Sequence, residues 1–129
     1  MKSLLLIFSL FSMLSFCSKE ESQIKDKLIG EWTWVESSGG FAGKIETPST
    51  TGKEITIEFS SEKYIKYVNG DIESEMTYTI EKGSSIRTTE ETYLIVYENG
   101  KKQSVELIDN KLILYDECHD CYQNEYVRK

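Results

Sequence analysis

Histidine, cysteine and proline are scarce in this 129-residue chain, at one, three and one. Each scarcity removes possibilities. The one histidine, His119, has no nucleophile motif such as Gly-x-Ser-x-Gly beside it, so a triad-type active site has no constellation to stand on. Structural zinc needs four ligands, and no second Cys or His pair exists. Basic residues are outnumbered, 15 Lys and Arg against 22 Asp and Glu, for a net charge of −7. No basic stripe breaks that excess, so the surface repels phosphates and nucleic-acid binding is excluded. No strong helical pattern interrupts the strand-like segments, which excludes βαβ folds. No repeat of solenoid length occurs. No apolar run reaches the ~20 residues that a permanent membrane span needs.

One shorter apolar run does occur, Leu4 to Phe16, behind the basic Lys2. It has the proportions of a secretory signal peptide, and it stops at Cys17. The boundary Leu14-Ser15-Phe16-Cys17, with Leu three positions before Cys, resembles a bacterial lipoprotein signal. The resemblance implies a leader over residues 1–16, lipid on Cys17, and an address in the cell envelope as an outer-membrane lipoprotein, periplasmic or surface-exposed. Ser18-Lys19-Glu20-Glu21 also resembles the export tag of surface lipoproteins in Bacteroidota. Loss of Lys2 with the leader takes the charge to −8, with 14 basic and 22 acidic residues remaining. An acidic domain repels anionic head groups, so the membrane contact is expected through the acyl chains, each buried CH₂ contributing about 0.8 kcal/mol.

The remaining length suits one small domain. Residues 17–23 read as a polar tether and 24–129 as the domain. Ile24, Leu28 and Ile29 are spaced for a short helix that Ser22 caps and Gly30 ends. From Glu31 the chain reads as strands. Ile55, Ile57 and Phe59 alternate with Glu54, Thr56 and Glu58. Strands are expected over 31–37, 54–59, 64–68, 73–81, 93–98, 104–108, 111–116 and 122–128, with part of another around Ile86. Ser38 to Gly52 reads as a loop. Asn69-Gly70 and Asn99-Gly100 are strong hairpin signals. Short hairpins force antiparallel neighbours, and closing the series removes its open edges. The expected fold is therefore all-β, an eight-stranded antiparallel up-and-down β-barrel with a short N-terminal helix.

Gly30-Glu31-Trp32 lies where the helix meets the first strand, and Arg128 lies near the end of the last. The pair resembles the Gly-x-Trp signature and terminal basic residue of the lipocalin-like barrels. With Gly39-Gly40, Thr47-Pro48 and the aromatic strands, residues 28–129 are similar to the lipocalin-like lipoproteins of Bacteroidota. The resemblance implies that Gly30, Trp32 and Arg128 close one end, with Arg128 packed over the indole. The chain is shorter than a true lipocalin, so a large calyx and a long C-terminal helix are not implied. The resemblance suggests a non-enzymatic binder with no cofactor.

Asp116-Glu117-Cys118-His119-Asp120-Cys121 is the one dense cluster of reactive side chains. A disulfide between Cys118 and Cys121 is the first reading for an even pair in an exported protein. A metal site and a redox Cys-x-x-Cys compete with it; the latter normally needs a helix N-terminus. Glu20-Glu21 and Glu90-Glu91 read as surface charge. The other candidate site is the barrel interior, lined by Trp34, Ile57, Phe59, Tyr67, Met76, Tyr78, Tyr93, Ile95 and Tyr97. These side chains suit a small apolar or amphipathic ligand. The opposing reading is that they simply fill the barrel, leaving a surface module that presents its loops to a protein partner. The loop 38–52 and the Asn69-Gly70 turn are expected to frame the open end.

Overall fold

The computed structural model describes residues 16–129. All of the expected leader but its last residue, Phe16, and the lipid expected on Cys17 lie outside what it describes. The chain orders as α1 (Phe16–Leu28), β1 (Gly30–Gly39), β2 (Lys44–Glu46), α2 (Pro48–Thr51), β3 (Ile55–Phe59), β4 (Lys63–Val68) and β5 (Asp71–Ser84). Then follow β6 (Glu91–Tyr97), β7 (Lys102–Ile108), β8 (Lys111–Asp116) and β9 (Tyr122–Arg128).

Every strand pairing is antiparallel. The sheet runs β2-β1-β3-β4-β5-β6-β7-β8-β9, and β1 pairs again with β9. Eight strands, β1 and β3 to β9, therefore form a closed antiparallel β-barrel, with β2 as a short outrigger on the far half of β1. Two bulges bend the wall, between Trp34 and Glu36 in β1 and in the β4–β5 pairing after Lys66. Asn69 and Gly70 have φ of 51° and 86°, the left-handed pair that the hairpin signal requires.

Three sequence expectations are corrected. The helix expected to start after Ser22 starts earlier, so residues 17–23, read as a polar tether, lie within α1, which runs from Phe16. Lys19, Glu20, Glu21 and Gln23 are good helix formers. Glu20 also gains tertiary partners, accepting a hydrogen bond from the Tyr93 hydroxyl at 2.8 Å and pairing with Lys82 at 3.8 Å. The loop 38–52 contains β2 and α2, the latter started by Thr47 as N-cap with Pro48 in the first turn. No strand forms around Ile86; β5 extends to Ser84, and the chain then turns back over the outside of the barrel.

That crossing segment is held by Glu117. Its carboxylate accepts from the Ser85 hydroxyl at 2.7 Å and from the Ile86 amide at 2.9 Å. Arg87 stacks on the Tyr115 ring, 3.0 Å from its centroid, and donates to the Ser104 hydroxyl at 3.1 Å. Leu94, Ser104 and Tyr115 share the outer face by register, and this strap explains why Leu94 and Ser104 are buried there.

Candidate functional site

Register divides the barrel into two ends. At one end α1, Gly30 and the Asp109-Asn110 turn come together. Trp32 is fully buried, and its indole N–H donates to the Leu28 carbonyl at 2.8 Å. The Arg128 guanidinium lies 4.1 Å over the Trp32 ring and donates to the Ile29 and Lys27 carbonyls at 3.1 and 2.5 Å. The Lys27 carbonyl is in the last turn of α1 and the Ile29 carbonyl just past it, where a cation is favoured. Gly30 is needed at this point: its φ is 136°, and a Cβ would lie 2.7 Å from the Arg128 Nη1.

Above this lid the interior is packed. Leu28, Trp32, Trp34, Ile57, Phe59, Tyr78, Ile95, Tyr97, Leu112, Leu114 and Tyr126 form one buried cluster, with Tyr64, Met76 and Ile80 against it. Phe59 meets Tyr64 and Tyr78 with ring centroids 5.2 Å apart in each case, and Tyr64 meets Tyr97 at 5.1 Å. Such tilted and edge-on pairs contribute about 0.5–1.5 kcal/mol each beyond area burial. Thus Trp34, Ile57, Phe59, Tyr78, Ile95 and Tyr97 fill the barrel, and only Tyr97 also faces the space at the far end.

Two of the interior residues expected from sequence lie elsewhere. Tyr67 faces outward, because register pairs it with Thr56 while Lys66 pairs with the inward Ile57. Its hydroxyl donates to Glu58 at 3.2 Å. Tyr93 has inward parity but stands at the lid end, under α1, where it bonds Glu20. The residue the sequence reading missed on β4 is Tyr64, at the centre of the aromatic set.

The opposite end is a mouth. Tyr64, Met76 and Tyr97 give it an apolar wall, and Lys66, Glu73, Asn99, Lys101 and Gln103 a polar rim, around a cleft of about 210 Å³. Lys66 pairs with Glu73 at 2.8 Å and Lys101 with Asp116 at 3.5 Å. Tyr97 donates to the Gln103 side-chain oxygen at 2.6 Å, and the Gln103 amide donates to Asp116 at 2.7 Å. Beside them the Trp34 indole donates to Ser37 at 2.9 Å, and Ser37 donates to Asn124 at 2.6 Å. Inward Gln103, Asp116 and Asn124 could not be found by pattern, since a polar residue in a strand reads as outward.

Burial sets the electrostatics. The Tyr97 hydroxyl is held well above its ordinary range by burial first, then by Tyr64, Tyr126 and Asp116. Tyr64 and Tyr126 are raised for the same first reason, with the Asp116 charge contributing to each. Burial alone pushes Tyr78 up to about 12. The Lys66 hydrogen bond holds Glu73 below the carboxylate range, its charge and that of Lys53 adding to the effect against a smaller opposing pull of burial.

The cysteines are joined: Cys118 and Cys121 form a disulfide across the β8–β9 loop. His119 is exposed in that loop. The loop packs against the β1–β2 hairpin, where Gly40 donates to the Cys121 carbonyl at 3.4 Å and a Cβ on Gly39 would lie 2.4 Å from that oxygen. Beyond that contact the hairpin tip projects Phe41, which is 97% exposed.

Among family models, curated proteins and solved structures, none matches the chain. The class that the coordinates define is therefore that of a closed antiparallel β-barrel with a lidded end and a polar-rimmed mouth.

Proposed function

We propose that the chain is a non-catalytic, lipocalin-like binding protein, anchored to the outer membrane through lipid on Cys17, that takes a small amphipathic molecule at its mouth. The observation that carries this reading is the mouth cleft itself, with aromatic walls from Tyr64 and Tyr97 and paired charges on its rim. A packed interior limits the ligand to the mouth, so a long acyl chain does not fit the proposal. The helix bearing Cys17 begins at the lid end. An anchor there leaves the mouth, the disulfide loop and the β1–β2 hairpin directed away from the bilayer.

The test is native mass spectrometry of the protein from a native-like host, with organic extraction of bound material. Met76→Trp fills the cleft while removing no fully buried contact. A reproducible bound mass that Met76→Trp abolishes, with the melting temperature held, supports the reading; an apo mass in both proteins overturns it. A second reading, a surface module for a protein partner, is favoured by Phe41 at the hairpin tip and by Ile45, 59% exposed beside it.

A further inference from the structure

The mouth has an unequal pair of charges. Asp116 lies inward on β8 with its side chain 13% exposed, whereas its partner Lys101 is 55% exposed at the end of the Asn99-Gly100 turn. At 3.5 Å this ion pair is looser than the Lys66–Glu73 pair at 2.8 Å. The carboxylate is fixed by a strand and by Gln103; the ammonium sits on a flexible stem over solvent.

The lining of the cleft points the same way. Among the described residues no buried polar side-chain atom lacks a partner. Asp116 contacts Lys101 and Gln103, and those two side chains line the mouth cleft together with Tyr64 and Tyr97.

We infer that the mouth ligand is a small primary or methylated ammonium compound, with Asp116 as its counter-charge and Lys101 as a tethered stand-in. This rests on the mouth-binding reading and gives it a ligand class. Displacing Lys101 costs one exposed ion pair, which is worth little. An anion would instead have to displace Asp116 or Glu73 from the rim lysines while approaching a chain of net charge −7. Aromatic faces attract ammonium groups, quaternary methylated ones included.

The experiment is an NMR titration read at the Met76 methyl, using propylammonium, tetramethylammonium, propanol and propionate as probes. The two cations are expected to bind at least about tenfold more tightly than propanol or propionate, the scale of a charge-assisted contact. Asp116→Asn should erase that preference. Lys101→Met, an exposed change that spares the fold, should tighten cation binding roughly 3- to 5-fold by removing the competitor. Propanol or propionate binding as well as the cations overturns the ammonium assignment and leaves the mouth reading intact. Lys101→Met that weakens cation binding or leaves it unchanged also overturns the assignment. No response to any probe, together with an apo mass in the native experiment, sinks both.

Discussion

Arg128 covers Trp32 from the last strand while also bonding two carbonyls at the end of the helix that precedes Trp32. One side chain thereby links the start and end of the domain. Arg128→Ala is expected to lower stability by about 1–2 kcal/mol, from a cation–π contact and charged hydrogen bonds at a partly solvated site. Arg128→Lys should recover only part of this, because an ammonium cannot fork to two carbonyls while stacking. Urea unfolding of the three proteins checks both expectations.

Ser37 relays the Trp34 indole to Asn124. Ser37→Ala leaves a buried N–H without an acceptor and should cost about 1–3 kcal/mol. Removing Asn124 in the same background should then cost less than it does alone, since the relay is already broken. A double-mutant cycle in urea measures the coupling; strict additivity would refute the relay.

Cys118 and Cys121 close only a tight loop. Loop-closure entropy for so few residues gives about 2 kcal/mol. Reduction should therefore lower the unfolding midpoint without unfolding the barrel. Faster amide exchange should be confined to residues 117–121 and the Gly39-Gly40 contact. Far-ultraviolet circular dichroism and hydrogen exchange after reduction make the comparison.

Tyrosine ionisation should destabilise the fold at high pH. Tyr78 is raised to about 12, and Tyr64, Tyr97 and Tyr126 are raised as well, all by burial first. The unfolded chain releases these protons near the ordinary value of 10. The stabilising contribution is thus complete below pH 10 and declines above it, through about 12 for Tyr78. Absorbance titration should show an exposed class near 10 and a buried class that ionises only with unfolding.

Glu117 behaves oppositely. Burial pulls its carboxyl up, but bonds from the Ile86 amide and the Ser104 and Ser85 hydroxyls, with the Arg87 charge, outweigh that and hold it below the usual range. Its contribution is present above the ordinary carboxyl value of 4.5 and is lost as pH falls through the depressed one. Glu117→Gln should release the Ser85–Arg87 strap at neutral pH, seen as faster exchange of the Ile86 amide with the barrel strands unchanged.

The barrel was legible in the sequence where period-two alternation ran uninterrupted, as in Ile55, Ile57 and Phe59. It was legible too where turn chemistry left little choice, as at Asn69-Gly70. Legibility ended where tertiary contacts outrank local pattern. Lys66 is a charge on the inner face because Tyr64 and Met76 on either side of its pairing fix the parity. Tyr67 looks like a lining aromatic but lies one residue out of phase. Helix α1 begins earlier than its apolar spacing because Glu20 finds Tyr93 and Lys82, contacts that no local pattern encodes. Inward Gln103 and Asp116 satisfy each other, so the most polar part of the mouth carried no apolar signal.

The seam between β1 and β9 also sets the order of assembly. A ring whose first strand hydrogen-bonds to its last cannot close until nearly the whole chain is present. Pairings so distant in sequence slow folding. A chain emerging from its N-terminus holds an unclosed sheet with Trp32 uncovered until Arg128 arrives. Closure of the ring therefore waits for β9, and Arg128 acts as the latch over Trp32.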